Sequence, residues 1–249
     1  MIDENMVYVV IGATGTLGSE LSRQLSDKGA KLLLAGRDES KLNALANSLP
    51  NAETFVLDAR ETSEVEACIQ HAADTFGKVD GIANCVGSLM LKPGHLTSDE
   101  EWQETIAVNL TSAFGTLRGA VKAMRKTGGS VVFVSSAAAR TGLANHEAIA
   151  AAKAGVSGLT LSAAATYAKH GIRVNAVAPG LVESQLTERL VSNEASKKAS
   201  LSLHALDRVG QASDIASMIS WLLDPANDWV TGQVFGVDGG LATVKPRLA

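Results

Sequence analysis

Seven short apolar runs, each followed by an amphipathic or glycine-punctuated stretch, restrict the fold of this chain more than any other feature. They lie at residues 7–11 (VYVVI), 31–35 (KLLLA), 54–57 (TFVL), 81–84 (GIAN), 130–134 (SVVFV), 173–177 (RVNAV) and 233–237 (QVFGV). Between them, residues 19–28, 37–48, 64–76, 100–124, 146–167 and 213–223 carry helical periodicity. Strands that read as continuous apolar runs are buried on both faces, and helices between them supply the cover. The expectation is an α/β, doubly wound domain with a central parallel sheet of about seven strands. No repeat and no linker-like composition divides the chain, so one domain over residues 1–249 is expected.

Composition excludes several classes of function. A net charge of −4 leaves no basic footprint for nucleic acid. No run of ~18 apolar residues reaches across a membrane, and the opening MIDENM is acidic, unlike a signal peptide. A cytoplasmic location is therefore expected. Cys68 and Cys85 have neither metal-ligand spacing nor the numbers for a disulfide framework, so no metal site is expected.

The turn after the first strand carries the clearest chemistry. Gly12-Ala13-Thr14-Gly15-Thr16-Leu17-Gly18 leaves a strand and opens a helix. Glycine lets the backbone turn sharply and approach a pyrophosphate, whose charge meets amides at the helix N-terminus. That context predicts a nicotinamide dinucleotide. At the end of the second strand an NAD-type site needs a carboxylate for the ribose 2′-hydroxyl. Here the strand ends Ala35-Gly36-Arg37: glycine holds the acidic position and a guanidinium suited to a 2′-phosphate follows. NADP(H) is preferred over NAD(H), with a solvated Arg37 as the alternative.

With these residues in view, the chain resembles the short-chain dehydrogenase/reductase family over nearly its whole length, which implies a Rossmann-type fold. By that resemblance Asp58 and Ala59 contact adenine, and Asn84-Cys85-Val86-Gly87 is a variant of a strand end that passes the cofactor. Asn109, Ser136 and Lys153 match three members of a catalytic tetrad. Pro179-Gly180-Leu181-Val182-Glu183-Ser184 resembles the segment that clasps the nicotinamide, with Pro179, Gly180, Val182 and Ser184 at cofactor-binding positions. The tail, Thr231-Gly232-Gln233 through Val237-Asp238-Gly239-Gly240, is also similar. The resemblance further implies a small-molecule substrate and a homotetramer or homodimer built through the long helices and C-terminal segment.

Two departures stand out. The middle glycine is Gly15, where the common family form places it at the position of Thr16. More seriously, the family carries Tyr-x-x-x-Lys, with tyrosine 13 residues after the serine. Counting from Ser136, or back four from Lys153, reaches Ile149. In the family, lysine binds the nicotinamide ribose and lowers the tyrosine pKa; isoleucine has no proton to give. Tyr8 lies inside the first strand and Tyr167 is ~27 Å along the helix at 1.5 Å per residue, so neither substitutes.

His146 is the candidate replacement. It precedes Lys153 by seven residues, two turns away on the same face, in the Tyr-x6-Lys spacing of the enoyl-thioester reductase branch. Imidazole suits general acid–base work near neutrality. The alternative is a helix-start histidine with Asn145 as N-cap and Glu147 in the first turn. His95, in a loop after the fourth strand, is a lesser substrate-contact candidate. His71, His170 and His204 read as surface residues. Residues 192–204 (SNEASKKASLSLH) read as a substrate lid or an exposed helix. Trp221, Trp229 and Phe235 read as core or subunit contacts.

Three functions remain open. The first is an NADP(H)-dependent oxidoreductase transferring hydride to a carbonyl or activated alkene, its proton coming from His146 or water. The second is a catalytically silent NADP(H)-binding sensor or partner subunit; the third is a lyase- or isomerase-type site. Ser136 favours the first, because pure cofactor binding has no need of it.

Overall fold

A computed structural model describes residues 1–245. Seven strands form one parallel sheet in the order β3-β2-β1-β4-β5-β6-β7: β1 (Val7–Ile11), β2 (Lys31–Gly36), β3 (Ala52–Val56), β4 (Gly81–Asn84), β5 (Gly129–Val134), β6 (Ile172–Pro179) and β7 (Val234–Val237). The order reverses between β1 and β4, whose register pairs Ile11 with Asn84. β1 and β4 match expectation, and the other strand ends shift by at most two residues, as at β3, whose pairing with Leu32 starts at Ala52, and β6, which runs on to Pro179.

Strand alternation divides the core. Val9 and Ile11 join Val65, Ile69, Leu117, Met124 and Val156 on one face. Those residues come from α3 (Thr62–Phe76), α5 (Ser112–Met124) and α6 (Glu147–Tyr167). Tyr8 and Val10 point the other way, against Leu21, Leu25, Leu42, Ile215 and Ile219. These belong to α1 (Thr16–Asp27), α2 (Glu39–Ala46) and α9 (Ala212–Leu223). Complete burial of β1 and the inner residues of β2 matches their unbroken apolar runs.

The expected helix over 100–124 is interrupted. α4 (Asp99–Ile106) starts at a Ser98–Glu101 capping box, and Ala107–Thr111 then form one π-helical turn before α5 begins. The stretch after β6 folds as α7 (Glu188–Val191) and α8 (Glu194–Leu201), both partly exposed. Trp229 is 97% exposed and takes no part in the core, whereas Trp221 meets Phe235 edge-on at 6.4 Å.

Candidate active site

A cavity of about 730 Å³ runs along the carboxyl ends of the strands, across the β1/β4 reversal. Such a volume lies within the usual range of ~300–1,000 Å³ for small-molecule sites. Gly12 forms its floor at φ +81°, and the Gly12 and Ala13 amides donate to the Ala35 carbonyl at 2.8 and 3.0 Å. A Cβ on Gly12 would lie 2.9 Å from the Val86 nitrogen; one on Gly18 would lie 2.2 Å from the Gly12 carbonyl oxygen. Gly12 thus lets two strand ends meet, while Gly18 seats the helix against the turn from behind and does not line the cavity.

Thr14, Gly15, Thr16 and Leu17 do line it. Helix α1 has Gly15 as N-cap, no side-chain cap and no acid in its first turn. Its first amides therefore lack partners and repelling charge beside the cavity, which fits a pyrophosphate.

At the adenine end, Arg37, Asp38, Lys41, Asp58, Ala59 and Arg60 line the cavity. Both carboxylates there are engaged. Asp38 caps α2, accepting from the Ser40 hydroxyl at 2.6 Å and the Lys41 amide at 3.1 Å, which holds its carboxyl near 2. Asp58 accepts from Arg60 Nε at 3.0 Å, and this guanidinium holds its carboxyl below the ordinary range. Arg60 also reaches Glu104 at 3.1 Å. Among the described residues Arg37 makes no ion pair. Lys41, which sequence reasoning missed, pairs with Asp38 at 3.4 Å.

At the other end, the tetrad-like residues converge. Lys153 is 6% exposed, and its Nζ donates to the Val134 carbonyl at 2.8 Å. Burial pushes its pKa down to about 8, opposed in part by Cys85. Burial pushes the Cys85 thiol up to about 12, so it is a neutral wall of the cavity near pH 7. Ser135 and Ser136 both line the cavity, but their hydroxyls are engaged differently. Ser135 is buried and bonds the Lys153 carbonyl at 3.0 Å, tying β5 to α6. Ser136 lines the cavity and accepts from the Ala138 amide at 3.1 Å, which leaves its own hydroxyl proton free to donate.

Asn109 sits in the π-helical turn, just behind the cavity wall. Its amide donates to the Thr105 carbonyl at 3.0 Å and the Ser88 hydroxyl at 2.9 Å, while its Oδ1 accepts from the Ser88 amide at 3.2 Å. A Cβ on Gly87 would lie 3.3 Å from Asn109 Oδ1 and 3.6 Å from Lys153 Nζ, so glycine permits their approach. Ser88 lines the cavity and was also missed, since an isolated serine after Gly87 carries no sequence signal. Asn84 lies behind the strand end rather than in the cavity. It donates to Thr116 at 3.0 Å and accepts from the Val86 amide at 2.9 Å, fixing the turn in which Val86 and Gly87 line the site.

Ile149 is 3% exposed in the free chain and lines the cavity with Ser136 and Lys153. His146 does not line it. This residue, not Asn145, is the N-cap of α6, and its Nδ1 donates to the Ala144 carbonyl at 2.7 Å; Asn145 sits outside the helix at φ +64°. Two helical turns place His146 ~10 Å from Lys153 along the axis, where the preceding loop engages its ring. His95 is exposed in a short 3-10 turn and is likewise absent from the lining. The clasp residues Pro179, Gly180, Val182 and Ser184 all line the cavity. His204, expected at the surface, is 5% exposed and hydrogen-bonds this segment; nothing in its polar, small-residue context signals burial.

The chain is similar to known proteins along nearly its whole length. The family model described as enoyl-(acyl carrier protein) reductase matches residues 12–242. The short-chain dehydrogenase/reductase aba4 of Botryotinia fuckeliana is 34% identical over 258 residues, covering 95% of this chain and 96% of its own. The 3-oxoacyl-(acyl-carrier-protein) reductase FabG of Vibrio cholerae is 32% identical over 244 residues, covering 96% and 98%. A variant of the actinorhodin polyketide ketoreductase, solved with NADPH, superposes with a TM-score of 0.89 at 28% identity, covering 98% of this chain and 100% of that one. Similarity spanning the whole cavity, from the glycine turn to the segment after β7, makes this chain a member of the short-chain dehydrogenase/reductase family.

Proposed function

We propose that the protein is an NADP(H)-dependent reductase that transfers hydride to a carbonyl or activated alkene of a small molecule, with its proton drawn from a source other than tyrosine. The observation that carries this reading is the grouping of Ser136, Lys153 and the Asn109–Ser88 pair around Ile149 at one end of the cavity. Bound NADPH would supply the hydride. Arg37 and Lys41 would hold its 2′-phosphate, since Asp38, the one carboxylate directly after β2, is already consumed as a helix cap. The α1 amides would hold the pyrophosphate and Lys153 the nicotinamide ribose. Similarity to a ketoreductase solved with NADPH supports the same cofactor.

The Ser136 hydroxyl is free to donate to a substrate oxygen and to stabilise charge that develops there. With isoleucine at position 149, no phenol delivers a proton to that oxygen. Reduction of an activated alkene tolerates this best: the oxygen need only be stabilised as an enolate while water protonates carbon. Lys153, titrating near 8, and the Asn109–Ser88 pair are the polar groups beside such a water. His146, turned to its own loop, is set aside in favour of water as the proton source.

Fluorescence titration with NADPH and NADH, followed by an NADPH-consumption screen over enoyl thioesters, ketones, aldehydes and quinones, tests the reading. Tight NADPH binding with turnover of an enoyl or carbonyl compound is expected. NADPH binding with no turnover across the screen would favour a silent cofactor-binding subunit, a reading that Ile149 itself keeps alive.

A further inference from the structure

Of the five histidines, only His204 is buried, and both of its ring nitrogens are engaged. Nδ1 lies 2.7 Å from the Ser200 carbonyl oxygen, an acceptor, so this nitrogen carries the proton. Nε2 lies 3.1 Å from the Leu181 amide, a donor, so this nitrogen must present a lone pair. One ring state alone meets both demands: the neutral tautomer protonated on Nδ1. An imidazolium would set N–H against N–H at Leu181. Two glycines make room for the ring, since a Cβ on Gly180 would lie 2.8 Å from Nε2 and one on Gly239 3.3 Å from Cδ2.

The two partners belong to different parts of the site. Ser200 is on α8, while Leu181 sits between cavity-lining Gly180 and Val182. On its other side this clasp is held by Gly210, whose amide donates to the Leu181 carbonyl and whose carbonyl accepts from Glu183, both at 2.9 Å. His204 is therefore the side-chain tie between α8 and the clasp.

We infer that His204 is a positioning residue that latches α8 to the cofactor clasp only while its ring is neutral, so that the grip on the cofactor loosens on acidification. Three charged groups near the ring are otherwise occupied. Asp238, after β7, accepts from the Gly240 and Ala242 amides at 2.9 and 3.1 Å. Arg208 is held by Asp214 at the start of α9, at 2.7 Å. Glu183 in the clasp accepts from Gln211 at 3.2 Å. Helix α8 carries Glu194, Lys197 and Lys198. Among the described residues no carboxylate hydrogen-bonds either ring nitrogen, so the two backbone contacts set which ring state is held.

The cofactor part of the inference rests on the NADP(H) reading, and the test separates the two. NADP⁺ affinity is measured for wild type, His204→Gln and His204→Ala at about pH 8 and about pH 5.5, on either side of the ordinary imidazole value of ~6.5. Backbone exchange at Leu181, corrected for intrinsic rate, is measured on the same three proteins without nucleotide. Glutamine can accept from Leu181 and donate to Ser200 but does not titrate. Titration of the 2′-phosphate is common to all three proteins and cancels. At the lower pH wild type is expected to lose roughly five- to tenfold more affinity and Leu181 protection than His204→Gln, the scale of one hydrogen bond. His204→Ala is expected to be weak at both. Equal pH dependence in wild type and His204→Gln, or wild-type protection in His204→Ala, would overturn the latch. If none of the three binds nucleotide, the cofactor reading falls and Leu181 protection alone decides the latch.

Discussion

Ile149 and Arg37 are the two residues whose replacement speaks most directly to the chemistry. Ile149→Tyr places a phenol one helical turn from Lys153, on the wall that Ser136 shares. Positioned general acids contribute about 10²–10⁴-fold, so the variant is expected to reduce ketones at least ~100-fold faster than wild type in an NADPH-oxidation assay. No gain would mean that the surrounding pocket no longer accepts a carbonyl. Arg37 makes no ion pair among the described residues, so Arg37→Ser should cost the protein little stability. A lost charge-assisted hydrogen bond is worth ~1.5–3 kcal/mol, which predicts roughly 10- to 100-fold weaker NADPH binding with NADH binding unchanged. Parallel fluorescence titrations read both; equal loss for the two nucleotides would reject a 2′-phosphate contact.

At the scale of elements, close approach dictates which glycines are replaceable. Gly18 is the first-turn residue that lets α1 rest on the Gly12 carbonyl, 2.2 Å from where a Cβ would stand. Gly18→Ala is expected to destabilise the fold by ~1–3 kcal/mol and to weaken nucleotide binding with it. Gly158 lies inside α6 with nothing within 4 Å of its would-be Cβ. Gly158→Ala is therefore expected to stabilise by up to ~1 kcal/mol through helix propensity. Urea unfolding of the pair checks both signs. The π-helical turn at Ala107–Thr111 shows a different control: one inserted residue turns Asn109 towards Ser88, which helical periodicity over 100–124 does not announce.

Across the whole molecule, the buried Lys153 links the site to global stability. Its folded pKa, about 8, lies below the ordinary 10.5. Between these values the unfolded chain binds more protons, so this lysine's contribution to stability rises with pH through the window. It is complete above 10.5 and lost as pH falls through 8. Measured as a difference between wild type and Lys153→Met, which removes contributions common to both, wild type should gain on the order of 3 kcal/mol from pH 8 to 10.5. A constant difference would show that Lys153 is not desolvated. Phe114 and Leu161, on α5 and α6, are exposed apolar residues on which a dimer or tetramer could be tested. Phe114→Glu should lower the mass seen by light scattering if that surface is used.

By itself the sequence determined the layered α/β sheet, the glycine turn and the counts that join Ser136, Ile149 and Lys153. Those are local: strand runs report two-sided burial, and residues four apart on a helix share a face. Tertiary structure decided what depends on residues distant along the chain. It tied the Ser135 hydroxyl to the Lys153 carbonyl, 18 residues on, while a contact three residues along made Asp38 a helix cap. The folded chain also turned His146 into its own loop, by a contact only two residues back that the spacing to Lys153 does not announce. It also buried His204 between α8 and Leu181, because a side chain's partners are set by which segments pack together, and residues 181 and 204 meet only in the folded chain.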